Sequence, residues 1–270
     1  DCQVVEVDYD RENGTTDLNK LQEEVDDNTA CVLLQNPNFF GMIEDIDKAG
    51  EIARDKKAMY VLSVNPITLS ILKSPGEVGA DVAVGDAQVL GNELNYGGPY
   101  VGFLAIKSGL IRKMPGRVVG QTVDKDGSRC YCLTLQTREQ HVRREKATSN
   151  ICSNQGLCAL NASIYMATMG KKGYEKVAMQ NMQKSHYAAR KLSEGEKFEP
   201  VFKGKFFNEF VVKSPVAVEE LNDKLLKNKI LGGYDLGKDY PELSECTMIC
   251  VTEKRSADEI NKLVGIMEGM

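Results

Sequence analysis

Two short apolar runs, each stopped by an Asn-Pro pair, limit what this chain can fold into more than any other feature. CVLLQ (31–35) ends at Asn36-Pro37-Asn38, and AMYVLSV (58–64) ends at Asn65-Pro66. Between them, residues 42–55 place Met42, Ile43, Ile46, Ala49 and Ala53 on one helical face; Leu18, Leu21 and Val25 do the same over 17–25. Short continuous apolar runs read as strands buried on both faces, and their alternation with amphipathic helices predicts a parallel sheet. VVEVDYD (4–10) is expected to add a further strand. In such a sheet a ligand sits beyond the carboxyl ends of the strands, which is where both Asn-Pro turns fall.

Further along, a strand rises through Ala83 and Val84, a turn follows, and a glycine-rich strand returns through Gly97, Gly98 and Gly102. Residues 114–150 read as polar loop, with a turn at Asp124-Lys125-Asp126-Gly127. An apolar helix from Leu157 to Met169 breaks at Gly170, and an amphipathic helix runs from Tyr174 to Leu192. After residue 197 short strands (FEPVF, NEFVVK, TMICVTE) alternate with two helices, the last opened by a Ser256/Glu259 capping box. The expected class is therefore α/β. A mostly parallel sheet with helices on both faces occupies a large domain (1–170), a connecting helix spans 171–196, and a small α+β domain closes the chain (197–270).

Composition narrows the function. With 270 residues, 42% hydrophobic and 27% charged, the chain can bury one large core and a smaller one. A net charge of −5 argues against a nucleic-acid surface, which needs a basic stripe. No apolar stretch approaches the roughly 18 residues of a membrane span, and no signal peptide is visible. The eight cysteines include no C-x-x-C pair and there are only two histidines, so no metal site is expected. The cysteines read as small core residues with free thiols, and the location as cytoplasmic. The chain opens on Asp1 and runs at once into a strand-like segment, which leads us to expect a missing N-terminal portion.

Few residue patterns carry chemistry. The glycines at 85, 91, 97, 98 and 102 match neither a dinucleotide fingerprint nor a phosphate-binding loop, and turns explain them. Around 137–150, Arg138, Arg143, Arg144 and Lys146 surround Glu139 and Glu145, and Thr148-Ser149-Asn150 precede a helix. Those three can cap the helix or donate to an anion at its positive end, and the arginines can serve ion pairs or a partner subunit. His141 reads as structural, Phe39-Phe40 as packing or an interface anchor, and the acid pairs Asp26-Asp27 and Glu44-Asp45 as solvated helix ends. Between Lys73 and Lys107 the run 74–106 contains no lysine.

Several segments resemble one family: QNPNFFGMIED (35–45), YGGPYVGFLAI (96–106), MPGRVVG (114–120), LTLQTREQHVRREKATSNICSNQ (133–155) and KILGGYDLGKDYPEL (229–243). They are similar to the P-protein of the glycine cleavage system, glycine dehydrogenase (decarboxylating), in its first or alpha subunit, over essentially the whole chain. The resemblance implies a fold-type-I pyridoxal phosphate (PLP) enzyme architecture. It implies glycine decarboxylation, with the aminomethyl group passed to the lipoyl arm of H-protein, in a heterotetramer whose beta subunit holds PLP. The PLP-bearing half resembles P-G-D-F-G-A-D followed by a His-Lys pair. Laid on PGEVGAD (75–81), that pair falls on Gln88 and Val89, and the Asp that meets the pyridine nitrogen falls on Leu62, or on Ser63 one residue on. These are read as vestigial cofactor positions, with no catalytic residue on this chain. A Schiff base needs an amine, and Lys73 and Lys107 flank the run on the wrong sides. By similarity to the R-x-E-x-G-T-P-N run of cysteine desulfurases, Thr148 is expected to reach the beta subunit's PLP phosphate. The rival readings are a non-catalytic assembly or regulatory protein with this fold and a self-sufficient PLP enzyme.

Overall fold

The computed structural model describes residues 2–115, 118–134, 140–147 and 155–270, the His141 side chain excepted. Helix α1 (Leu18–Glu24) leads into β1 (Cys31–Asn36), helix α2 (Ile46–Asp55), β2 (Met59–Val64), β3 (Val82–Asp86) and β4 (Gly102–Ile106). The four strands form one sheet in the order β1-β2-β3-β4; the first three are parallel and β4 returns antiparallel. The alternating helices and strands thus build the largely parallel sheet that the two Asn-Pro-terminated runs predicted.

Side-chain alternation decides what each strand buries. Val32 and Leu34 on β1 and Tyr60, Leu62 and Val64 on β2 face one way and pack under Ile46, Ala49 and Ala53 of α2. Helix α2 starts where the Asp45 carboxylate accepts from the Lys48 N–H at 3.2 Å. It docks because Gly50 leaves room for the Tyr60 ring, whose hydroxyl donates to the Ile46 carbonyl at 2.8 Å. On the opposite face Leu33 is 65% and Met59 42% exposed, and Cys31 is exposed as well.

Beyond β4, strands β5 (Val118–Val123) and β6 (Arg129–Thr134) pair as an antiparallel hairpin around the turn at Asp124–Gly127. The turn agrees with the sequence and the strands do not, since the sequence over 114–150 reads as loop. Val119, Tyr131 and Leu133 are all largely exposed, so burial leaves no mark on this segment. Helix α3 (Gln140–Arg143) is one turn, and α4 (Gly156–Glu194) consists of two helical segments meeting at Gly170, whose φ is +59°. That break is where the sequence placed it.

Strands β7 (Glu199–Pro200), β8 (Glu209–Lys213), β9 (Tyr234–Asp235) and β10 (Cys246–Cys250) make a second sheet in the order β7-β8-β10-β9. Helices α5 (Val218–Lys227) and α6 (Ala257–Glu268) join the end of α4 in covering it, around Leu192, Phe210, Val212, Leu221 and Ile260. The capping box at the start of α6 is present in full. A third cluster joins the two sheets: Phe40 and Met42 pack on Phe202, Val211 and Leu236. At that junction Gly41 has φ +82°, and a Cβ there would overlap the Glu209 carbonyl.

Three expectations need correction. Residues 4–10 are not a strand; they make only an isolated Tyr9–Thr16 bridge, and Val4 is 84% exposed. FEPVF forms a strand of two residues only, since β7 meets β8 at its end alone. Among the described cysteines all are free, but Cys246 alone is buried; Cys31 lies on the open sheet face, and Cys130 and Cys132 lie in the unlayered hairpin.

Candidate functional site

The carboxyl ends of β1, β2 and β3 are shaped by side chains that fold back on their own loops. After β1 comes the cis Asn36–Pro37 bond. Asn36 Oδ1 accepts from the Glu44 N–H at 3.0 Å. Asn38 uses all its polar capacity locally: Oδ1 accepts from the Phe40 and Met42 N–H groups, both at 3.0 Å, and Nδ2 donates to the Gly14 carbonyl and to Glu44 Oε1. After β2, Asn65 Oδ1 accepts from the Ile67 N–H at 3.0 Å and caps a 3₁₀ turn over Pro66–Ser70. After β3, Asp86 Oδ1 accepts from the Gln88 N–H at 2.6 Å, and Gln88 Nε2 donates to the Asn92 carbonyl at 2.6 Å.

Helix α4 crosses these loops. Asn161 Nδ2 donates to the Gly91 carbonyl at 2.6 Å, and the Tyr174 hydroxyl donates to the Pro66 carbonyl at 3.1 Å. Burial pushes the Tyr174 phenol up to about 12, so it stays a donor throughout the physiological range. A cavity of ≈ 810 Å³ lies between helix and loops, walled by Leu69, Ala87, Leu90, Phe103, Ala162 and Tyr174. Its lining is apolar apart from a rim that includes Lys171 and Glu175, one helical turn apart.

Leu62 is fully buried among the residues that pack on α2, and it sits level with Leu34 and Ala83 in mid-sheet. It does not line the cavity under α4. Ser63 is on the other, half-buried face. Gln88 and Val89 lie together in the turn after β3, Gln88 committed to the backbone and Val89 38% exposed. Lys73 pairs with Asp47 at 2.9 Å, and Lys107 holds Asp81 at 2.8 Å at the amino-terminal end of β3, the end remote from the cavity. Thr148 and Arg138 lie outside the described residues, as does the His141 side chain; Arg143 and Arg144 are exposed.

Two features went unseen in the sequence. Lys171 lines the cavity from a helix, whereas Lys73 and Lys107 flank the strands. Glu44, which reads from the sequence as a solvated helix end, is 6% exposed. Only Asp45 of that pair caps the helix, because the chain between Asn36 and Ile46 turns inward and carries Glu44 beneath Asn38 and Thr16.

The family model of the glycine cleavage system P-protein matches residues 1–267. The chain belongs to that family. A probable glycine dehydrogenase (decarboxylating) subunit 1 from Carboxydothermus hydrogenoformans is 54% identical over 269 residues, covering all of this chain and 60% of the relative. Its counterpart in Moorella thermoacetica is 50% identical, over 96% of this chain and 58% of the relative. The chain thus spans about three-fifths of the length of these P-protein relatives. An inhibitor-bound crystal structure of glycine decarboxylase (P-protein) superposes with a TM-score of 0.87 at 37% identity, covering 91% of this chain and 56% of that one. A cysteine desulfurase from Thermococcus onnurineus shares the fold, with a TM-score of 0.68 at 17% identity.

PLP is the cofactor that the P-protein resemblance implies, and the strand ends of this chain do not fit it. The resemblance lays the Schiff-base lysine on Val89, which offers no amine, and the pyridine's acidic partner on Leu62, which is closed inside the core. Asn38 spends its polar groups on its own loop, and Asn36, Asn65 and Asp86 each commit one side-chain oxygen to theirs.

Proposed function

We propose that this chain is part of the first subunit of a glycine-decarboxylating complex and that a second subunit carries PLP. The carrying observation is a family match over residues 1–267 together with valine at position 89, where the resemblance lays the Schiff-base lysine. Bound on the partner, PLP supplies an electron sink for the carbanion left when glycine loses carbon dioxide. This chain's part is to wall that site from the side, with Thr148 donating to the PLP phosphate across the interface. The aminomethyl product passes to lipoyl H-protein, and the complex works in the cytoplasm. We further assign a large domain to 1–170, a connecting helix to 171–196 and a small domain to 197–270. Separate cores under α2 and under α5 and α6 support that division.

Co-expression with the neighbouring second subunit tests the reading through glycine–bicarbonate exchange. Activity that needs both chains supports it. Equal activity from the second subunit alone would favour a pure assembly role for this chain, and activity of this chain alone would make it a self-sufficient enzyme.

A further inference from the structure

A second cavity, of ≈ 370 Å³, opens where the segment before α1 crosses the loop after β1 and meets Tyr240 of the second sheet's loop. Its wall is aromatic: Tyr9, Phe39, Phe40 and Tyr240 all line it. The Tyr9–Phe40 and Phe40–Tyr240 centroids are 4.9 and 5.0 Å apart, and Phe39 lies 6.0 Å from Tyr240. Its charged lining is wholly acidic, being Glu6, Asp8 and Glu44.

These carboxylates differ in what neutralises them. Asp8 pairs with Lys20 at 2.9 Å and with Arg11 at 3.2 Å. Glu44 is the most deeply buried of the three, yet it meets only neutral donors: the Thr16 N–H and hydroxyl, and Asn38 Nδ2. No lysine or arginine pairs with it among the described residues. Its Oε2 accepts only the Thr16 N–H, at 3.0 Å, and shares that proton with Oε1, so a lone pair is left over. A buried carboxylate without a cation is costly, and burial indeed pushes the Glu44 carboxyl above its usual range. Aromatic faces attract an ammonium through their quadrupoles, and they hold its alkyl stem by apolar contact.

The geometry points to a binding site for a protonated primary amine, its ammonium taken by Glu44 and its carbon chain lying on the rings of Phe39 and Tyr240. The site goes beyond the proposed decarboxylation and does not depend on it. A carboxylate-bearing end finds no cation in the lining, so the ligand is an alkylammonium with a neutral or solvent-facing far end. The same chemistry comes from a free small amine or from a lysine side chain of a partner polypeptide.

Heteronuclear NMR titration of this chain with n-butylammonium, N-acetyl-lysine methylamide and the neutral isostere 1-butanol tests the site. Both ammonium probes should move the Phe39 and Tyr240 resonances and bind roughly tenfold or more tightly than the alcohol, the factor that about 1.4 kcal/mol of charge recognition provides. Tighter binding of the lysine amide assigns the site to a polypeptide, and tighter binding of butylammonium to a free amine. Glu44→Gln should abolish the preference for ammonium over alcohol. Should that variant fail to fold, Phe39→Ala, at a half-exposed ring, should weaken both ammonium probes severalfold in a folded chain. Equal affinity for ammonium and alcohol, or ammonium-induced shifts unaltered by Phe39→Ala, would overturn the proposal, as would the absence of any shift at these rings.

Discussion

The Tyr174 hydroxyl donates to the Pro66 carbonyl at 3.1 Å, fastening helix α4 to the loop that ends β2. Pro66 is buried at the start of the 3₁₀ turn over Pro66–Ser70, so the bond is made where water does not compete for it. Tyr174→Phe keeps the ring and removes the donor. It should destabilise the chain by about 1 kcal/mol, read as a lower denaturant midpoint at unchanged slope.

Gly85 stands where β3 passes the end of β2, and a Cβ there would overlap the Val64 carbonyl and crowd the Phe103 ring. Gly85→Ala should therefore cost about 1–3 kcal/mol, the range for overpacking a filled site. Gly102→Ala, whose Cβ would lie an ordinary 3.6 Å from the Gly85 carbonyl, is its control and should cost less. Equal thermal shifts for the two would contradict this packing.

The parts of the fold legible in the sequence are those where burial writes a period. Val32, Leu34, Tyr60, Leu62 and the Ile46-Ala49-Ala53 stripe are buried and were found. The β5–β6 hairpin was missed because Val119, Tyr131 and Leu133 are exposed and look like loop composition. Cys31 was misplaced because a strand with one open face does not bury every apolar residue it carries. The reading of Gln88 and Val89 as vestigial cofactor positions rests on family similarity alone. Lys171 and Glu44 reach their cavities through a helix crossing and a loop reversal, and neither leaves a local signature.

Burial raises the Glu44 and Glu209 carboxyls above the usual range. Over the pH interval from the unfolded value, about 4.3, up through the raised folded values, the folded chain holds protons that the unfolded chain has released. Their contribution is complete below that interval and is lost as pH rises through it. Glu44→Gln stays neutral throughout, so it should gain on the wild-type chain in unfolding free energy between acid and neutral pH. Groups common to both chains cancel in that difference, and a gap moving the other way would refute the buried-carboxyl account.

Thr148→Val removes a hydroxyl while keeping the side chain's size. In the complex with the second subunit it should weaken PLP retention roughly tenfold, the loss of one hydrogen bond to a charged phosphate. Dialysis followed by absorbance of the retained cofactor measures it. Unchanged retention would remove Thr148 from the shared site.

The central claim is that PLP is held by a companion polypeptide. Borohydride reduction of the assembled complex in the presence of PLP, followed by peptide mass mapping, tests it most directly. The account predicts a phosphopyridoxyl-lysine in the second subunit and none in this chain; the same adduct on Lys171, or on any other lysine here, would contradict it.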